Sequence, residues 1–479
     1  MSAERISDTD SLKSYFSGIG KRIIGVGVDA INRIGPEEYL PKYSMVVLQN
    51  TLDLPQIEAE VRIFCLERES LAERSTLNRN SDSLLASQTV QDYIDKYTNP
   101  VVMVYKSSAA IEQLCREHNW EIAFASSELK DTLENKTGFR SLLSKLGLTT
   151  PGSLNIDYKQ MDYDQLNAKL GPNLVIQVPD SSGGKGTFFA GDEQSVQQSK
   201  IKIRHFLENE KQQPATVLVS EFVQGMVVSL TCVTTRWGTW CSNLQQQLID
   251  IPQTNHKTSN GVFCGHDWSA SGSINASLSS RAIAEARKFG DTIYKMGYRG
   301  YFGLDLILDE QNGKVQLIEC NPRFTGVLPT LDMIQSAQNK LPFIALHLLE
   351  YLGSEDLAVD FDSIQNSLTE PKNGAHLIFN SKNTPTRMGF KIQPGVYTIE
   401  ANELKYLRPG YKVRHLQNDA EFILTEFPDE FTVVKQDSRI GRLITRSAIS
   451  TGNNQLNGWA DRISQLFYNS LIIDPTPSN

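Results

Sequence analysis

The chain has 479 residues, too many for one ordinary hydrophobic core, so about two to four domains or lobes are expected. Hydrophobic residues make up 40% and charged residues 21%, a balance typical of folded globular proteins and unlike that of disordered or membrane-embedded chains. The 47 basic and 55 acidic side chains give a formal net charge of -8, so we expect no nucleic-acid partner.

The N-terminal residues and the cysteines both favour a cytoplasmic protein. The first ten residues, MSAERISDTD, lack the apolar core of a signal peptide, and no apolar run has the length of a membrane span. The six cysteines are scattered without a CxxC pair, which disfavours a disulfide framework and favours free thiols in a reducing compartment. We therefore expect a cytoplasmic location and no membrane partner.

The N-terminal part alternates short apolar runs with helical stretches. Strands are predicted at IIGVGV near residue 25, at Met45 to Leu48, at Val101 to Tyr105 and at Glu121 to Ala125, with a helix over Ala109 to His118. This alternation is typical of a parallel α/β unit.

A glycine-rich turn follows the first of these strands. Gly25, Gly27 and Ala30 match a permissive dinucleotide-binding fingerprint, but that match is weak on its own. The second strand ends at Gln49 and Asn50, where an acidic residue would be needed to hold a ribose. We therefore interpret the segment as a tight strand-to-helix turn of a Rossmann-like lobe.

The central part changes character after about residue 130. A helix is predicted from Leu133 to Leu146, ending at Gly147, and a second helix from Ser280 to Met296. The remaining elements read as strands: a hairpin whose tip is the loop DSSGGKGT, the strand VLVSEF, and two strands joined by the turn DEQNGK, Phe302 to Leu308 and Val315 to Cys320.

The last two strands carry the strongest chemical signal. Asp305 lies in an otherwise apolar strand, and Glu319 and Asn321 are two residues apart, so their side chains leave one face of the next strand. If the strands pair, three oxygen-bearing side chains converge, which suits Mg²⁺. Arg323 shares that face if the strand continues and would clamp phosphate. The simpler alternative is that the acids pair structurally with Arg299 or Arg323.

The loop at the hairpin tip is the second signal. Its small residues let backbone amides approach phosphate oxygens, and Lys185 adds a positive charge. It is not a P-loop, because Gly186 follows Lys185 where Ser or Thr is required. A flexible hairpin tip without function is the alternative for this loop taken alone.

Together the ordered motifs resemble the ATP-grasp superfamily, whose members join a carboxylate to an amine or a similar nucleophile. The matching elements are the lysine of NKTGFRSLL, the strand and loop VIQVPDSSGGKGT, the strand VSEFVQG, the acid of GLDL and the terminal ECNPR. The resemblance implies an α/β fold, with a Rossmann-like N-terminal lobe followed by ATP-grasp subdomains and a small C-terminal subdomain.

The resemblance also implies roles for individual residues. Lys136 would reach the α- or β-phosphate, Arg323 would steady the reacting acyl phosphate, and Lys185 would join Arg323 in catalysis. Gly326 and its neighbours would line the acceptor site. The implied nucleotide contacts are Lys136, Gln177, Ser181, Ser182, Gly183, Gly184, Lys185, Glu221, Phe222 and Val223. Of these, Glu221 to Val223 would present backbone hydrogen bonds to adenine. The implied ligands of Mg²⁺, or of Mn²⁺ in its place, are Asp305, Glu319 and Asn321.

Two positions depart from the family pattern. Gln177 stands where a second lysine is usual, and it supplies no charge. After the glycine of the strand VSEFVQG, where the family usually has an acid, this chain has Met226 to Ser229. No residue is therefore assigned to the ribose. Such variation is similar to the pheganomycin-type branch of peptide ligases. Other candidates for substrate contact are His256 and His266, and for carboxylate recognition Arg236 and Arg387.

The implied function is an ADP-forming carboxylate–amine ligase that acts on amino acids or small peptides, with ATP and Mg²⁺. Two alternatives stay open: an ATP-grasp enzyme with a non-amine acceptor, and a degenerate ATP-binding protein without turnover. The expected domains are residues 1–129, the Rossmann-like lobe; 130–225, the small subdomain with the phosphate flap; 226–370, the large subdomain with the magnesium site; and 371–479, the C-terminal subdomain. The sequence does not exclude a homo-oligomer.

Overall fold

The computed structural model describes residues 5–70, 78–181, 186–209, 216–255, 261–382, 386–429, 433–452 and 454–474. The α/β fold expected from the sequence is confirmed: a five-stranded parallel sheet is followed by a four-stranded and an eleven-stranded antiparallel sheet. In these ranges no helix combines the length and the apolar character needed to cross a membrane. All six cysteines lie in them, buried and free of disulfide bonds.

The N-terminal lobe is built on the parallel sheet, with strand order β4-β3-β2-β5-β6. Its three central strands are buried and mostly apolar, as expected of a parallel sheet covered on both faces, whereas its two edge strands are partly or fully exposed. Its elements are β1 (Arg5–Ile6), α1 (Thr9–Ser17), β2 (Ile23–Gly27), β3 (Tyr43–Val47), α2 (Leu54–Glu58), β4 (Arg62–Cys65), α3 (Leu66–Glu69), α4 (Ser81–Ala86), α5 (Gln88–Ile94), β5 (Val101–Val104), α6 (Ala109–Glu117), β6 (Glu121–Ile122) and α7 (Ser127–Glu134).

The turn after β2 is not the strand-to-helix turn that its glycines suggested. The chain forms a short 3₁₀ turn there, Ile31–Arg33, and the Arg33 side chain folds back over the strand end and donates from Nε to the carbonyl of Val26. A Cβ atom on Gly27 would lie 2.6 Å from Arg33 Nε, so glycine is needed here for the close approach of arginine.

The second sheet has strand order β7-β10-β8-β9. Its elements are α8 (Lys136–Leu146), β7 (Ser153–Asp157), α9 (Tyr163–Leu170), β8 (Leu174–Gln177), β9 (Thr187–Ala190), α10 (Glu193–Asn209) and β10 (Thr216–Glu221). The prediction of one helix from Leu133 to Leu146 is wrong at its start. Asn135 is non-helical and caps α8 by accepting a bond from Gly138 N, which separates α8 from α7.

The eleven-stranded sheet has the order β16-β15-β11-β13-β14-β18-β24-β22-β20-β21, with β12 paired to β11. The elements that precede residue 371 are β11 (Met226–Thr235), β12 (Gly238–Cys241), β13 (Gln245–Ile249), β14 (Phe263–Asp267), α11 (Ala276–Lys295), β15 (Gly300–Asp309), β16 (Lys314–Asn321), α12 (Leu328–Ala337), α13 (Phe343–Leu352), β17 (Ala358–Val359) and α14 (Phe361–Thr369). The predicted hairpin of β15 and β16 is confirmed.

The C-terminal segment extends the same sheet. Its elements are β18 (Ala375–Asn380), β19 (Thr386–Phe390), β20 (Gly395–Glu400), β21 (Glu403–Arg408), β22 (Phe422–Thr425), β23 (Val433–Val434), β24 (Arg439–Thr445), α15 (Gly458–Asn469) and β25 (Leu471–Asp474). Five of these strands continue the long sheet, while β23, β19 and β25 form a separate three-stranded sheet. Helix α15 packs Ile463 and Phe467 into a cluster with Leu377 and Leu443.

The two faces of the long sheet therefore differ. One face packs against α11 and α15 through the apolar clusters that contain Phe302 and Leu443. The other face carries polar side chains, among them Asp305 and Arg442, and meets the N-terminal lobe, since Asn32 Oδ1 lies 3.2 Å from Arg442 Nη2. Carboxyl ends of parallel strands are where α/β proteins usually bind ligands. A ligand site is therefore expected at this junction.

Candidate active site

Strands β15 and β16 bring the predicted acids together. Asp305 lies directly opposite Glu319 in the antiparallel register, and Asn321 lies opposite Gly303. Asp305 Oδ2 accepts a hydrogen bond of 3.0 Å from Asn321 Nδ2. Its Oδ1 accepts bonds of 2.7 Å from Ser229 Oγ and 2.6 Å from a glutamine amide of β13. The convergence expected from strand alternation is thus present.

Burial strongly perturbs Asp305. Its pKa is raised to about 7 because the carboxylate is buried and because Glu319 lies beside it, although the Ser229 and Asn321 bonds act in the opposite direction. Within the described residues neither Arg299 nor Arg323 forms an ion pair with these acids, since each binds another glutamate. The simpler structural explanation for the acids is therefore absent.

Lys136 connects this hairpin to the small-residue loop. It is the first residue of α8, only 3% exposed, and its Nζ lies 3.7 Å from Glu319 Oε2. The same Nζ donates a bond of 2.6 Å to the carbonyl of Ser181. The ammonium group thus stands between the acidic pair and the base of the loop.

Arg323 is held in a fixed position beside the acids. Its Nη2 donates to Asn321 Oδ1 at 2.9 Å, its Nε donates to Glu134 Oε1 at 3.2 Å, and its Nη1 donates to Tyr105 Oη at 3.1 Å. Burial lowers the pKa of Arg323, but Tyr105 and Glu134 outweigh burial and raise it above its ordinary value. A permanently charged, pre-oriented guanidinium suits the recognition of phosphate or carboxylate oxygens.

Only the ends of the small-residue loop are described. Ser181 is buried and donates from Oγ to the carbonyl of Val178 at 2.7 Å, so its hydroxyl is engaged within the loop base. A Cβ atom on Gly186 would lie 2.3 Å from Ser181 Oγ, so the two loop ends approach each other too closely for a larger residue at position 186. The predicted nucleotide contacts Ser182, Gly183, Gly184 and Lys185 lie outside the described residues.

The remaining predicted nucleotide contacts lie on the second sheet. Gln177 is partly exposed and donates from Nε2 to Thr187 Oγ1 at 3.3 Å. The N–H groups of Glu221 and Phe222 already donate to carbonyls of Gly152 and Asn173, and Glu221 Oε1 accepts from Gly152 N.

Two aromatic side chains stand beside that strand. Phe222 and Phe189 are each 49% exposed, with ring centroids 6.3 Å apart. They offer an apolar surface at the position where Glu221, Phe222 and Val223 were expected to meet adenine.

Several neighbours of the site were not predicted from sequence. Ser229 and Gln247 bind Asp305, whereas Glu134 and Tyr105 fix Arg323. Tyr105 was placed at the end of a predicted strand, and that position at the carboxyl edge of a parallel sheet was the signal available for it.

The other candidate substrate residues are placed differently. Arg236 is engaged elsewhere, with Nε 3.3 Å from Glu350 Oε2, and His256 lies outside the described residues. His266 is near the site but buried, with Nε2 3.5 Å from Ser229 Oγ. Burial lowers its pKa to about 3, so the imidazole is neutral.

Comparison with known proteins defines the class of this fold and site. Residues 133–327 match the family model of the ATP-grasp domain. Residues 133–327 thus match an ATP-grasp domain, and over this range the resemblance drawn from the ordered motifs is confirmed. The matched range includes Lys136, Asp305, Glu319, Asn321 and Arg323.

Individual relatives are distant. The chain is 24% identical over 287 residues to the [Butirosin acyl-carrier protein]--L-glutamate ligase of Niallia circulans, covering 58% of this chain and 62% of that protein. The chain therefore spans less than two thirds of the length of this relative.

Two solved structures share the fold. The biotin carboxylase domain of the Hydrogenobacter thermophilus 2-oxoglutarate carboxylase is 12% identical, covers 95% of this chain and 91% of its own, and gives a TM-score of 0.59. The carboxyaminoimidazole ribonucleotide synthase of Aspergillus clavatus is 12% identical. The match covers 89% of this chain and 94% of that chain, with a TM-score of 0.55. At this identity the likeness concerns the fold alone.

Proposed function

We propose that the chain is an ADP-forming ligase that activates a carboxylate with ATP and joins it to an amine, acting in the cytoplasm on amino acids or small peptides. The observation that carries the proposal is the convergence of Asp305, Glu319, Asn321, Lys136 and Arg323 within one ATP-grasp domain. Acidic and basic side chains lie side by side there. Phosphoryl transfer depends mainly on such positioning and on the neutralisation of charge.

The donor set fits Mg²⁺. Within the described residues no group of three His, Cys, Asp or Glu side chains is arranged to hold a metal. The protein ligands would be the carboxylates of Asp305 and Glu319 and the amide of Asn321. Phosphate oxygens would complete the coordination. The raised pKa of Asp305, beside the partly exposed Glu319, is consistent with an acidic pair that a divalent cation would compensate. Bound there, Mg²⁺, or Mn²⁺ in its place, would neutralise charge on the ATP phosphates. The biotin carboxylase domain of the 2-oxoglutarate carboxylase, which has a similar fold, was solved with MgADP.

The chain's own residues would perform the positioning. Lys136 would neutralise an α- or β-phosphate oxygen, Gln177 would hydrogen-bond the nucleotide without adding charge, and the loop from Ser181 to Lys185 would cover the terminal phosphates. The exposed face of Phe222 would lie against adenine. Exclusion of water by the loop would protect the activated acyl group from hydrolysis.

Arg323 would act at the reacting centre. A carboxylate oxygen attacks the terminal phosphorus while the bond to ADP breaks, and a deprotonated amine then attacks the acyl carbon and displaces inorganic phosphate. Both steps build negative charge on oxygens that a fixed guanidinium stabilises. Because Glu134, Asn321 and Tyr105 already hold Arg323, little reorientation is needed during the reaction.

The choice of amine acceptor rests on the motifs and on one relative. The butirosin relative is named as an L-glutamate ligase, which supports an amino acid among the substrates. The structural neighbours include a carboxylase domain crystallised with bicarbonate, so a non-amine acceptor stays the alternative. We also propose the four domains with boundaries near residues 129, 225 and 370, and Gly326 at the acceptor side.

A phosphate-release screen tests the proposed function. With MgATP, the protein is expected to release phosphate only when a suitable carboxylate is present, and hydroxylamine should convert the activated acyl group into a hydroxamate. The screen covers the L-amino acids and short peptides, and mass spectrometry then identifies any amide product. The matched control omits Mg²⁺.

The outcomes separate the alternatives. An amide that appears together with ADP supports the ligase. Hydroxamate without any amide across the amines indicates another acceptor. If no carboxylate stimulates phosphate release while MgATP still binds, the chain is an ATP-binding protein without turnover, and the proposal is wrong.

A further inference from the structure

Tyr105 connects the N-terminal lobe to the reacting centre. It directly follows β5, at the carboxyl edge of the parallel sheet, and its hydroxyl oxygen accepts a hydrogen bond of 3.1 Å from Arg323 Nη1. Two guanidinium groups also contact its ring, because Cζ of Arg33 lies 5.3 Å and Cζ of Arg323 lies 5.5 Å from the ring centroid. These contacts fix both the ring and its oxygen beside Arg323.

Arg323 itself has little hydrogen-bonding capacity left for a substrate. A guanidinium group carries five N–H bonds. Within the described residues, Nε donates to Glu134, and Nη1 donates to Tyr105 and, at 3.2 Å, to the carbonyl of Phe324. Nη2 donates once, to Asn321 Oδ1. One N–H of Nη2 therefore stays available, whereas sites that stabilise an oxyanion usually combine more than one donor.

The Tyr105 hydroxyl is an unused donor next to that guanidinium. Because its oxygen accepts from Arg323, its proton points away from Arg323. In the part of the chain that the structure describes, Tyr105 donates this proton to no other group. A hydroxyl in this state can donate to an oxygen atom of a bound substrate without giving up an existing bond.

Tyr105 and Arg323 also border one open pocket. The pocket has about 270 Å³ of empty space and lies between the N-terminal lobe and the start of β15. Other polar groups of its wall are engaged within the protein: Nη1 of Arg299 donates to two backbone carbonyls, and the hydroxyls of Tyr298 and Tyr301 each have a partner. An acyl group at this pocket would thus meet an unused hydroxyl at Tyr105.

The charge on the acyl oxygen changes in opposite directions in the two steps of the proposed reaction. In the first step the carboxylate loses charge as one of its oxygens bonds to phosphorus and ADP leaves. In the second step a neutral amine adds to the acyl carbon, and the C=O electron pair moves onto oxygen. When that pair returns, the C–O bond to phosphate breaks, and the leaving phosphate takes up the proton that the amine loses. A donor at the acyl oxygen therefore favours the second step.

We propose that the Tyr105 hydroxyl donates to the acyl oxygen during amide formation and, together with the remaining N–H of Arg323, forms the oxyanion site of the enzyme. The inference rests on the proposed function and adds to it a catalytic residue that the N-terminal lobe supplies. The lobe thereby completes an active site whose other proposed groups belong to the ATP-grasp domain.

Separate assays of the two steps test this inference in the full chain. The substrates are the carboxylate and the amine that the phosphate-release screen identifies. Positional isotope exchange in oxygen-labelled ATP, with the carboxylate and without the amine, measures formation of the acyl phosphate. Rapid-quench measurement of the amide reports the second step. Tyr105→Phe is expected to keep the exchange rate within about twofold and to slow amide formation by on the order of 10²-fold.

Tyr105→Phe should fold, because phenylalanine keeps the ring that Arg33 and Arg323 contact. The melting temperature checks this expectation. The matched control is Tyr97→Phe, in the same lobe but before β5, at the opposite end of that strand. Its ring also contacts a guanidinium, with Cζ of Arg22 4.9 Å from the centroid. Both steps are expected to keep wild-type rates in this control.

Three results would overturn the inference. If Tyr105→Phe slows both steps equally, as Arg323→Met is expected to do, Tyr105 only positions Arg323. If Tyr105→Phe keeps wild-type rates in both steps, its hydroxyl has no role in catalysis, and the proposed ligase activity survives. If no carboxylate supports isotope exchange in the wild-type chain, the proposed function is wrong and the inference is wrong with it.

Discussion

Replacing Glu319 with glutamine is expected to lower the turnover number by on the order of 10²- to 10³-fold while the fold is retained. Glutamine preserves the size of the side chain but removes the charge that faces Lys136 and stands opposite Asp305. If Glu319 holds Mg²⁺, the loss of a charged oxygen ligand weakens the neutralisation of the transferred phosphoryl group. Phosphate release at saturating MgATP measures the effect.

The matched control is Glu310→Gln, in the turn of the same hairpin, where the side chain is exposed. This variant is expected to keep wild-type turnover. The second readout is the dissociation constant of ADP measured with and without Mg²⁺. In Glu319→Gln, Mg²⁺ should no longer strengthen the binding of ADP. Wild-type turnover in Glu319→Gln would contradict the role proposed for this residue.

Replacing Arg323 with methionine is expected to lower turnover by about 10³-fold, the scale of losing an arginine that stabilises phosphoryl transfer. The fold should survive, because Glu134 keeps Lys106 at 2.8 Å and Lys130 at 3.9 Å as partners. Circular dichroism and the melting temperature check the fold, and single-turnover phosphate release measures the chemical step.

Two further variants sharpen this prediction. Arg323→Lys keeps the charge but loses the planar fork that reaches Asn321 and Tyr105, so it should recover only a small part of the activity. Arg281→Met, on the exposed side of α11, is the control and should behave as wild type. Equal turnover in Arg323→Met and wild type would exclude a catalytic role.

The acidic hairpin could be predicted from the sequence because its signal is local. Strand alternation fixes the faces of Glu319 and Asn321, and a short turn makes the pairing of β15 with β16 the simplest topology. The position of Asp305 between two leucines of an apolar strand is visible in the sequence itself. These inferences need only a few consecutive residues, so they hold without knowledge of the whole fold.

The parts that could not be predicted depend on irregular backbone or on distant contacts. The apolar pattern continues across Asn135, so periodicity alone predicts one helix where the structure has two, α7 and α8. Arg439 and Arg442 share a face only through an irregular pairing, which strand alternation does not reveal. Arg323 meets Glu134, 189 residues away in the chain, a contact that only the folded arrangement brings about.

A calorimetric titration of ADP into the full chain, with and without Mg²⁺, tests the central claim most directly. The claim is that Asp305, Glu319 and Asn321 hold a divalent cation against nucleotide phosphates beside Lys136. We predict that ADP binds and that Mg²⁺ strengthens its binding at least about tenfold, equivalent to about 1.4 kcal/mol. Failure of ADP to bind, or an affinity that Mg²⁺ leaves unchanged, would contradict it.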